Sequence, residues 1–512
     1  MDALIRIMKI HSTQIFFTKL IVTVFIILLS GFQANSQKVF DFDATCQEAY
    51  KNITALKINA GERLLNTARS QNPNNLIPDF LESYVDFFTL FLNEDPDEYR
   101  KRKPNFDERI KKFSEGDKSS PYFYYTQGVA TLQKCAIAAK FNEKWTAGWA
   151  FKKAFSLMKT SSEAFPDFQP NNLIYGTLQS MASIIPDGYK WIAGTMGIKG
   201  SLSKGLKLAY NFVNSNDANA RLFFNEGAFY YCYLQFYIKN NPEAAFQFMR
   251  QKGLDLVNNH LFAYMAANLS LNNKQSDKAK NIILGKSNSP EYLATPVWDY
   301  ELGYVRMQHL ELKEAAQSFL RFLSKFNGKS YVKDTYEKLS WCYYLQGNMP
   351  AAENARNMVM KKGASEADGD KQALKDAQSG TWPNILLLKA RILSDGGFSK
   401  EALQLLNGKS SNDFQNKEEK LEFTYRVGRI YDDLGRINEA LQAYLTTIKL
   451  GENETFYYAA RSAYQIGLIY EKQGKYSLAK GYYEKCLSIK DHEYKNSIDQ
   501  KAKTGIARCE GN

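Results

Sequence analysis

The feature that most constrains the fold is a five-position pattern that recurs towards the C-terminus. Its two clearest copies are Gly428, Tyr431, Gly435, Ala440, Tyr444 and Gly467, Tyr470, Gly474, Ala479, Tyr483. Each member of the second copy lies 39 residues after its counterpart. Weaker copies place the alanine at 315, 352 and 402, so consecutive alanines are 37, 50, 38 and 39 residues apart. A period in this range is typical of repeat proteins built from stacked supersecondary units.

Each copy of the pattern predicts two helices joined by a tight turn. The small residue and the aromatic residue three positions later share one face of the first helix. The glycine that follows ends this helix, because glycine adopts left-handed backbone conformations at little cost. The alanine lets the second helix approach the first closely. Strand patterns are scarce, so the sequence predicts an all-α fold, an α-solenoid of stacked antiparallel helix pairs.

The pattern resembles the tetratricopeptide repeat over residues 295–490. Segments 426–444 and 466–483 carry the small residue, the turn glycine, the alanine and the closing tyrosine in the family's order. The period exceeds the 34 residues of that family. The step from alanine 352 to alanine 402 also contains an extra polar stretch at 363–370, where we expect the array to be irregular.

The first half of the chain, 37–294, reads as longer and less regular helices of the same general kind. An apolar helix, a segment from Ser180 to Pro186 and then glycines at 194, 197, 200 and 205 follow one another. This order resembles the tetratricopeptide repeat protein 39 (inclusion-body-clearance) family over about 120–300. The resemblance implies a role in handling other proteins or lipid-associated partners, and it brings no catalytic residues. We expect 491–512 to form a C-terminal capping helix or tail.

The tetratricopeptide resemblance implies a concave groove lined by the first helix of each pair. Its candidate residues lie one turn before and one turn after the small residue, on the same helix face. They are Tyr300, Tyr304, Trp341, Tyr344, Leu387, Arg391, Tyr425, Arg429, Asp432, Arg461, Tyr464, Leu468 and Glu471. Tyr, Trp and Arg dominate binding hot spots, and Arg holds carboxylates through two parallel hydrogen bonds. The alternative is that these aromatics pack the helices against one another.

The N-terminus has the pattern of a signal peptide. Three basic residues accompany an apolar run over 20–29, which is too short to span a bilayer as a helix. Ala34 and Ser36 fit a cleavage site with small residues, so we expect removal of 1–36 and export to a periplasm or a secretory compartment, with a bacterial envelope favoured. An uncleaved anchor is the alternative. No later segment has about 18 uninterrupted apolar residues, so no transmembrane segment is predicted in the mature chain.

The charge of the chain is basic, +12 at pH 7, and removal of 1–36 takes away +2. A basic balance suits nucleic acid or an anionic surface. Export argues against nucleic acid, which leaves a membrane or a polysaccharide. The densest basic cluster, 100–103, is flanked by acidic residues and is typical of a solvated loop rather than of a patch for an anionic partner.

The sequence contains no motif for catalysis or metal binding. The histidines of the mature chain, His260, His309 and His492, have no ligand spacing, and no G-x-S-x-G motif is present. The six cysteines form no C-x-x-C pair, and those within helical stretches read as buried free thiols. We therefore expect no cofactor, no metal and no enzymatic activity.

The expected function is an exported, non-enzymatic scaffold that binds a protein or peptide partner in its concave groove. Two alternatives stay open. One is an enzyme with an unrecognised active site in the N-terminal half, and the other is a basic adaptor for an anionic membrane or polysaccharide surface. The sequence specifies neither the partner nor the oligomeric state.

Overall fold

Helices account for the regular structure in the described part of the chain. The computed structural model describes residues 38–183 and 198–511. Over these ranges the only β feature is an isolated parallel bridge between Val39 and Asn75, so the all-α prediction is confirmed. The predicted signal peptide, Pro186 and the glycines at 194 and 197 lie outside the described residues.

The first half consists of consecutive helices that contact their neighbours along the chain. They are α1 (Ala44–Thr54), α2 (Ile58–Gln71), α3 (Ile77–Asn93), α4 (Pro96–Phe113), α5 (Tyr122–Lys140), α6 (Lys144–Ala164), α7 (Pro170–Ala182), α8 (Leu202–Val213), α9 (Ala218–Leu222), α10 (Phe224–Tyr233), α11 (Pro242–Gln251), α12 (His260–Asn272) and α13 (Ser276–Gly285). A π-helical turn, Leu234–Ile238, directly extends α10. One continuous apolar core runs through this half.

The second half is a series of helix pairs, most of which pack on the following pair. Its helices are α14 (Val297–Gln308), α15 (Leu312–Lys325), α16 (Val332–Leu345), α17 (Met349–Lys361), α18 (Asp368–Ser379), α19 (Ile385–Gly396), α20 (Ser399–Leu405), α21 (Lys417–Asp433), α22 (Ile437–Gly451), α23 (Tyr458–Lys472), α24 (Tyr476–Ser488) and α25 (Lys495–Cys509). Helix α25 packs on α24 and α23.

The recurring pattern works through close packing between the two helices of a pair. The five alanines of the pattern are each 0% exposed. A Cβ atom added at Gly428 would lie 2.7 Å from Cδ1 of Tyr444, so only glycine lets that ring close the pair. The turn residue Gly435 has φ +72°, the left-handed region that favours glycine. The same three roles recur in the pair α23–α24.

The extra polar stretch at 363–370 leads into an additional helix, α18. Asp370 fixes this helix because its carboxylate accepts hydrogen bonds from the backbone N–H groups of Tyr331 (2.6 Å) and Asp334 (3.0 Å). Helix α18 therefore packs on α16 as well as on α17. The insertion of one helix accounts for the long step between the alanines at 352 and 402.

The two halves of the chain touch across the concave side. Lys274, in the turn after α12, forms an ion pair with Asp433 at the end of α21. A Cβ atom at Gly397 would lie 2.0 Å from the carbonyl oxygen of Lys274, so the backbones meet directly. Within 38–183 and 198–511 no helix is both long and apolar enough to cross a bilayer.

Candidate functional site: a basic cavity on the concave side

A cavity of about 920 Å³ lies where the two halves face each other. One side is formed by the π-helical turn after α10 and by the end of α12. The other side is formed by α21, α23 and α25, the first helices of the last repeats and the C-terminal helix. The volume falls in the range of small-molecule pockets. The cavity is therefore a product of the long-range closure of the chain.

Cations predominate on the wall of this cavity. They are Lys274, Lys400, Arg429, Arg461, Lys501 and Arg508, against the acids Glu401 and Asp433. Two of the cations have their own partners. Asp433 holds Lys274, and Glu471 holds Arg508 through two hydrogen bonds of 2.6 and 2.8 Å.

The four other wall cations have no such counter-charge in the described ranges, and three of them, Arg429, Arg461 and Lys501, belong to α21, α23 and α25. Among the described residues, no carboxylate oxygen lies within 4.0 Å of Arg429, Arg461 or Lys501. Nη1 of Arg429 donates to the hydroxyl of Tyr425 at 3.3 Å, whereas its Nε is buried without a hydrogen-bond partner. The guanidinium carbon of Arg461 lies 5.7 Å from the ring centroid of Tyr464. A buried donor without a partner is rare in proteins.

The positive charge of the cavity wall shifts the pKa values of neighbouring groups. Burial alone would raise the pKa of Tyr425, yet the charges of Arg429, Arg461 and Arg426 together lower it below its ordinary value. Partial removal from water at the cavity wall, together with the charge of Arg461, lowers the pKa of Lys501 to about 8. The cavity thus stabilises negative charge and disfavours additional positive charge.

A second cavity of about 310 Å³ lies between α16, α18 and α19. Its floor contains Trp341, whose ring lies between Nζ of Lys338 (3.9 Å) and the guanidinium of Arg391 (5.0 Å). Burial, followed by the neighbouring charge of Glu337, raises the pKa of Asp376. This cavity has a smaller volume than the basic cavity, and its wall residues Trp341 and Arg391 contact each other.

The residues predicted to line the groove divide into two groups. Four of them, Arg429, Arg461, Tyr464 and Leu468, line the basic cavity, and Trp341 and Arg391 line the second cavity. The others contact the protein itself. Tyr300 donates to Asp334 at 3.2 Å, and Tyr304 donates to the same carboxylate. Tyr344 stacks on Trp382, whereas Tyr425 and Leu387 are buried. Asp432 accepts from Tyr444 at 3.4 Å, and Glu471 binds Arg508.

Sequence reasoning missed Lys274, Lys501 and Arg508. The first lies 159 residues before its partner Asp433, and the others belong to α25, outside the five projected repeats. The one available signal was the basic composition of α25, which carries Lys501, Lys503 and Arg508. Nothing local in the sequence places these side chains in one cavity with those of α21.

The histidines and cysteines have structural surroundings. His260 stacks on Tyr292 and its Nε2 lies 2.9 Å from the carbonyl oxygen of Ser287, and burial lowers the pKa of His260 to about 4. His309 contacts Asp277 at 2.8 Å. The described cysteines are free thiols. In the described ranges no group of three His, Cys, Asp or Glu side chains has the arrangement of a metal site.

Comparison with known proteins supports the repeat assignment. A sequence model of the Tetratricopeptide repeat family matches residues 421–452 and 460–492, so the chain carries two such repeats there. These segments are α21–α22 and α23–α24 with their turns. No curated protein sequence matches the chain at a significant level.

Several solved helical-repeat structures align over most of the chain. The human IFIT1 dimer with PPP-AAAA is 11% identical, covers 88% of this chain and 95% of its own, and has a TM-score of 0.35. The TPR domain of P58(IPK) is 12% identical, with coverages of 80% and 95% and a TM-score of 0.22. The APC/C hetero-tetramer Cut9–Hcn1 is 11% identical, with coverages of 91% and 99% and a TM-score of 0.22. At these scores we draw no functional argument from them.

The fold and the matched segments define the class of protein, a helical-repeat scaffold with tetratricopeptide repeats at its C-terminal end. Such a scaffold fits a role in protein interaction. The comparisons give no support to the narrower resemblance to the tetratricopeptide repeat protein 39 family.

Proposed function

We propose that the protein is an exported, non-enzymatic scaffold that binds a segment of a partner protein on its concave side, at the basic cavity. The observation that carries the proposal is that Arg429, Arg461, Tyr464 and Leu468, contributed by consecutive repeats, line one cavity. Arg and Tyr are the residue types that dominate binding hot spots. The cavity also draws walls from both halves of the chain, so a bound segment would contact both.

Site-specific photo-crosslinking tests this function. A photoreactive residue at Leu468 lies on the cavity wall, whereas the same residue at Leu445, a 45% exposed position in α22, lies outside it. We expect crosslinks to one partner from position 468 in the native organism, and their loss when Arg429 and Arg461 are both changed to Gln. Equal crosslinking from both positions, or crosslinks that survive the double change, would contradict the groove assignment.

Export is part of the proposal and rests on the sequence pattern of 1–36. N-terminal sequencing of the protein from its native source tests it directly. A mature N-terminus at Gln37 is the expected result. A chain that retains Met1 and fractionates with the cytoplasm would overturn this part while leaving the groove proposal standing.

A further inference from the structure

We propose that the basic cavity binds a small molecule that carries a phosphate-type dianion, held by Arg429, Arg461 and Lys501. This inference goes beyond the proposed function, because it concerns a small ligand and holds whether or not the same face also binds a protein. Two observations support it, namely three wall cations that have no ion-pair partner among the described residues and the volume of the cavity.

The charge balance favours a dianion over a single carboxylate. Lys274 and Arg508 are neutralised by Asp433 and Glu471, and of the four other wall cations we assign Arg429, Arg461 and Lys501 to the ligand. One carboxylate would offset one of these charges. A phosphate monoester carries about −1.5 to −2 charges and three strong acceptor oxygens, which matches three converging donors.

The donor geometry also suits an oxyanion. Arg429 lines the cavity, and the one hydrogen bond of its guanidinium within the described residues runs from Nη1 to Tyr425. The guanidinium of Arg461 is planar and suits two-point binding of an oxyanion, whereas Lys501 acts as a point charge.

The shape of the cavity favours a small molecule. The first half forms one wall of the cavity, where the backbone of Lys274 meets Gly397. The volume of about 920 Å³ suits a ligand of drug-like size. Aromatic side chains on the wall, including Tyr237, Phe398 and Tyr464, offer apolar surface for the organic part of such a ligand.

Isothermal titration calorimetry of the mature chain with inorganic phosphate tests the inference. Acetate at matched ionic strength is the monoanionic comparison. We expect saturable phosphate binding at least tenfold tighter than acetate binding. We expect Arg461→Gln and Lys501→Gln each to weaken phosphate binding about tenfold or more, which corresponds to about 1.4 kcal/mol.

The matched control is Arg436→Gln, because Arg436 is an exposed arginine that pairs with Glu439 at 2.8 Å and does not line the cavity. It should bind phosphate like the unchanged protein. Lys501 is exposed on the cavity wall, so its substitution should preserve folding, which circular dichroism verifies. Equal affinities for phosphate and acetate, no phosphate binding at all, or an equal loss in Arg436→Gln would overturn the inference.

Discussion

Lys274 and Asp433 form an ion pair that joins the turn after α12 to the end of α21 across 159 positions of sequence. The hydroxyls of Ser394 and Ser399 also lie 3.4 and 3.3 Å from the same carboxylate oxygen. The pair holds the two halves together and neutralises two charges of the cavity wall. It therefore positions two walls of the cavity relative to each other and determines which cations remain for a ligand.

Removal of the carboxylate should loosen this junction. Asp433→Asn removes the ion-pair partner of Lys274, which lies largely buried beside Arg429, so we expect a loss of about 1–3 kcal/mol in the free energy of unfolding. Urea denaturation measures the loss. Glu439→Gln, which breaks the exposed pair with Arg436, should cost at most about 0.5 kcal/mol. Similar losses in the two variants would show that the Lys274–Asp433 pair contributes no more to the free energy of unfolding than an exposed ion pair does.

The glycines of the repeat pattern should tolerate no side chain. A Cβ atom at Gly467 would lie 2.5 Å from Cε1 of Tyr483, so Gly467→Ala should destabilise the protein by about 1–3 kcal/mol. Gly481 is the matched control, because it lies within α24 and has no atom within 4 Å of its added Cβ. Gly481→Ala should stabilise by about 0.5–1 kcal/mol through helix propensity. Thermal denaturation of both variants compares them, and a neutral Gly467→Ala would contradict the packing role.

Phosphate binding should weaken as pH rises from 7.5 to 9.5. The pKa of Lys501 is lowered to about 8 by partial removal from water and by Arg461 and Arg429, against the opposing charges of Asp368 and Tyr425, so its ammonium loses its proton in this window. Lys501→Arg keeps the positive charge across this window. Phosphate itself titrates in the same way with both proteins, so the variant controls for that effect. Calorimetry at several pH values should show a fall in affinity that is smaller in Lys501→Arg. Identical pH profiles would exclude Lys501 from the site.

The first half of the chain contains a buried carboxyl group that should make stability pH-dependent. Burial raises the pKa of Glu226 to about 7, although the hydroxyls of Tyr50 (3.1 Å) and Tyr84 (3.0 Å) hydrogen-bond to it. The folded state therefore holds this proton more tightly than the unfolded state. Stability from this group is present below about pH 4.5, falls as pH rises to about 7 and is constant above that.

Glu226→Gln tests this linkage, since the amide does not titrate. Across this window the unchanged protein should lose on the order of 2–3 kcal/mol more stability than the variant. Urea denaturation at pH 5 and pH 8 gives the comparison. Parallel curves for the two proteins would mean that Glu226 does not titrate differently in the folded state.

The repeat architecture could be predicted from the sequence because its determinants are local. Gly428, Ala440 and Tyr444 lie within one helix pair, and their spacing alone specifies the contact that the structure shows. The all-α class followed from the same spacing. The polar stretch 363–370 marked the position of an irregularity, but the sequence did not show that it introduces a helix, because α18 is fixed by a hydrogen bond of Asp370 to another helix.

The cavity could be predicted only in part. Arg429 and Arg461 were expected on the concave side from helix periodicity, and they line the cavity. Tyr300, Tyr304 and Tyr344 share the same periodicity, yet they contact Asp334 and Trp382. Spacing places a residue on a helix face but does not tell whether a neighbouring helix covers that face. The contributions of Lys274 and Lys501 depend on how far the chain curves, which no local pattern encodes.

The most direct test of the account is a titration of the tyrosinate absorbance of the mature protein, because the account depends on uncompensated positive charge in the cavity. We predict that one tyrosine ionises below the ordinary pKa of about 10. Tyr425→Phe should remove this step, and Arg429→Gln should move it to higher pH. If every tyrosine ionises at or above the ordinary pKa, or if Tyr425→Phe leaves the early step in place, the charged cavity is contradicted.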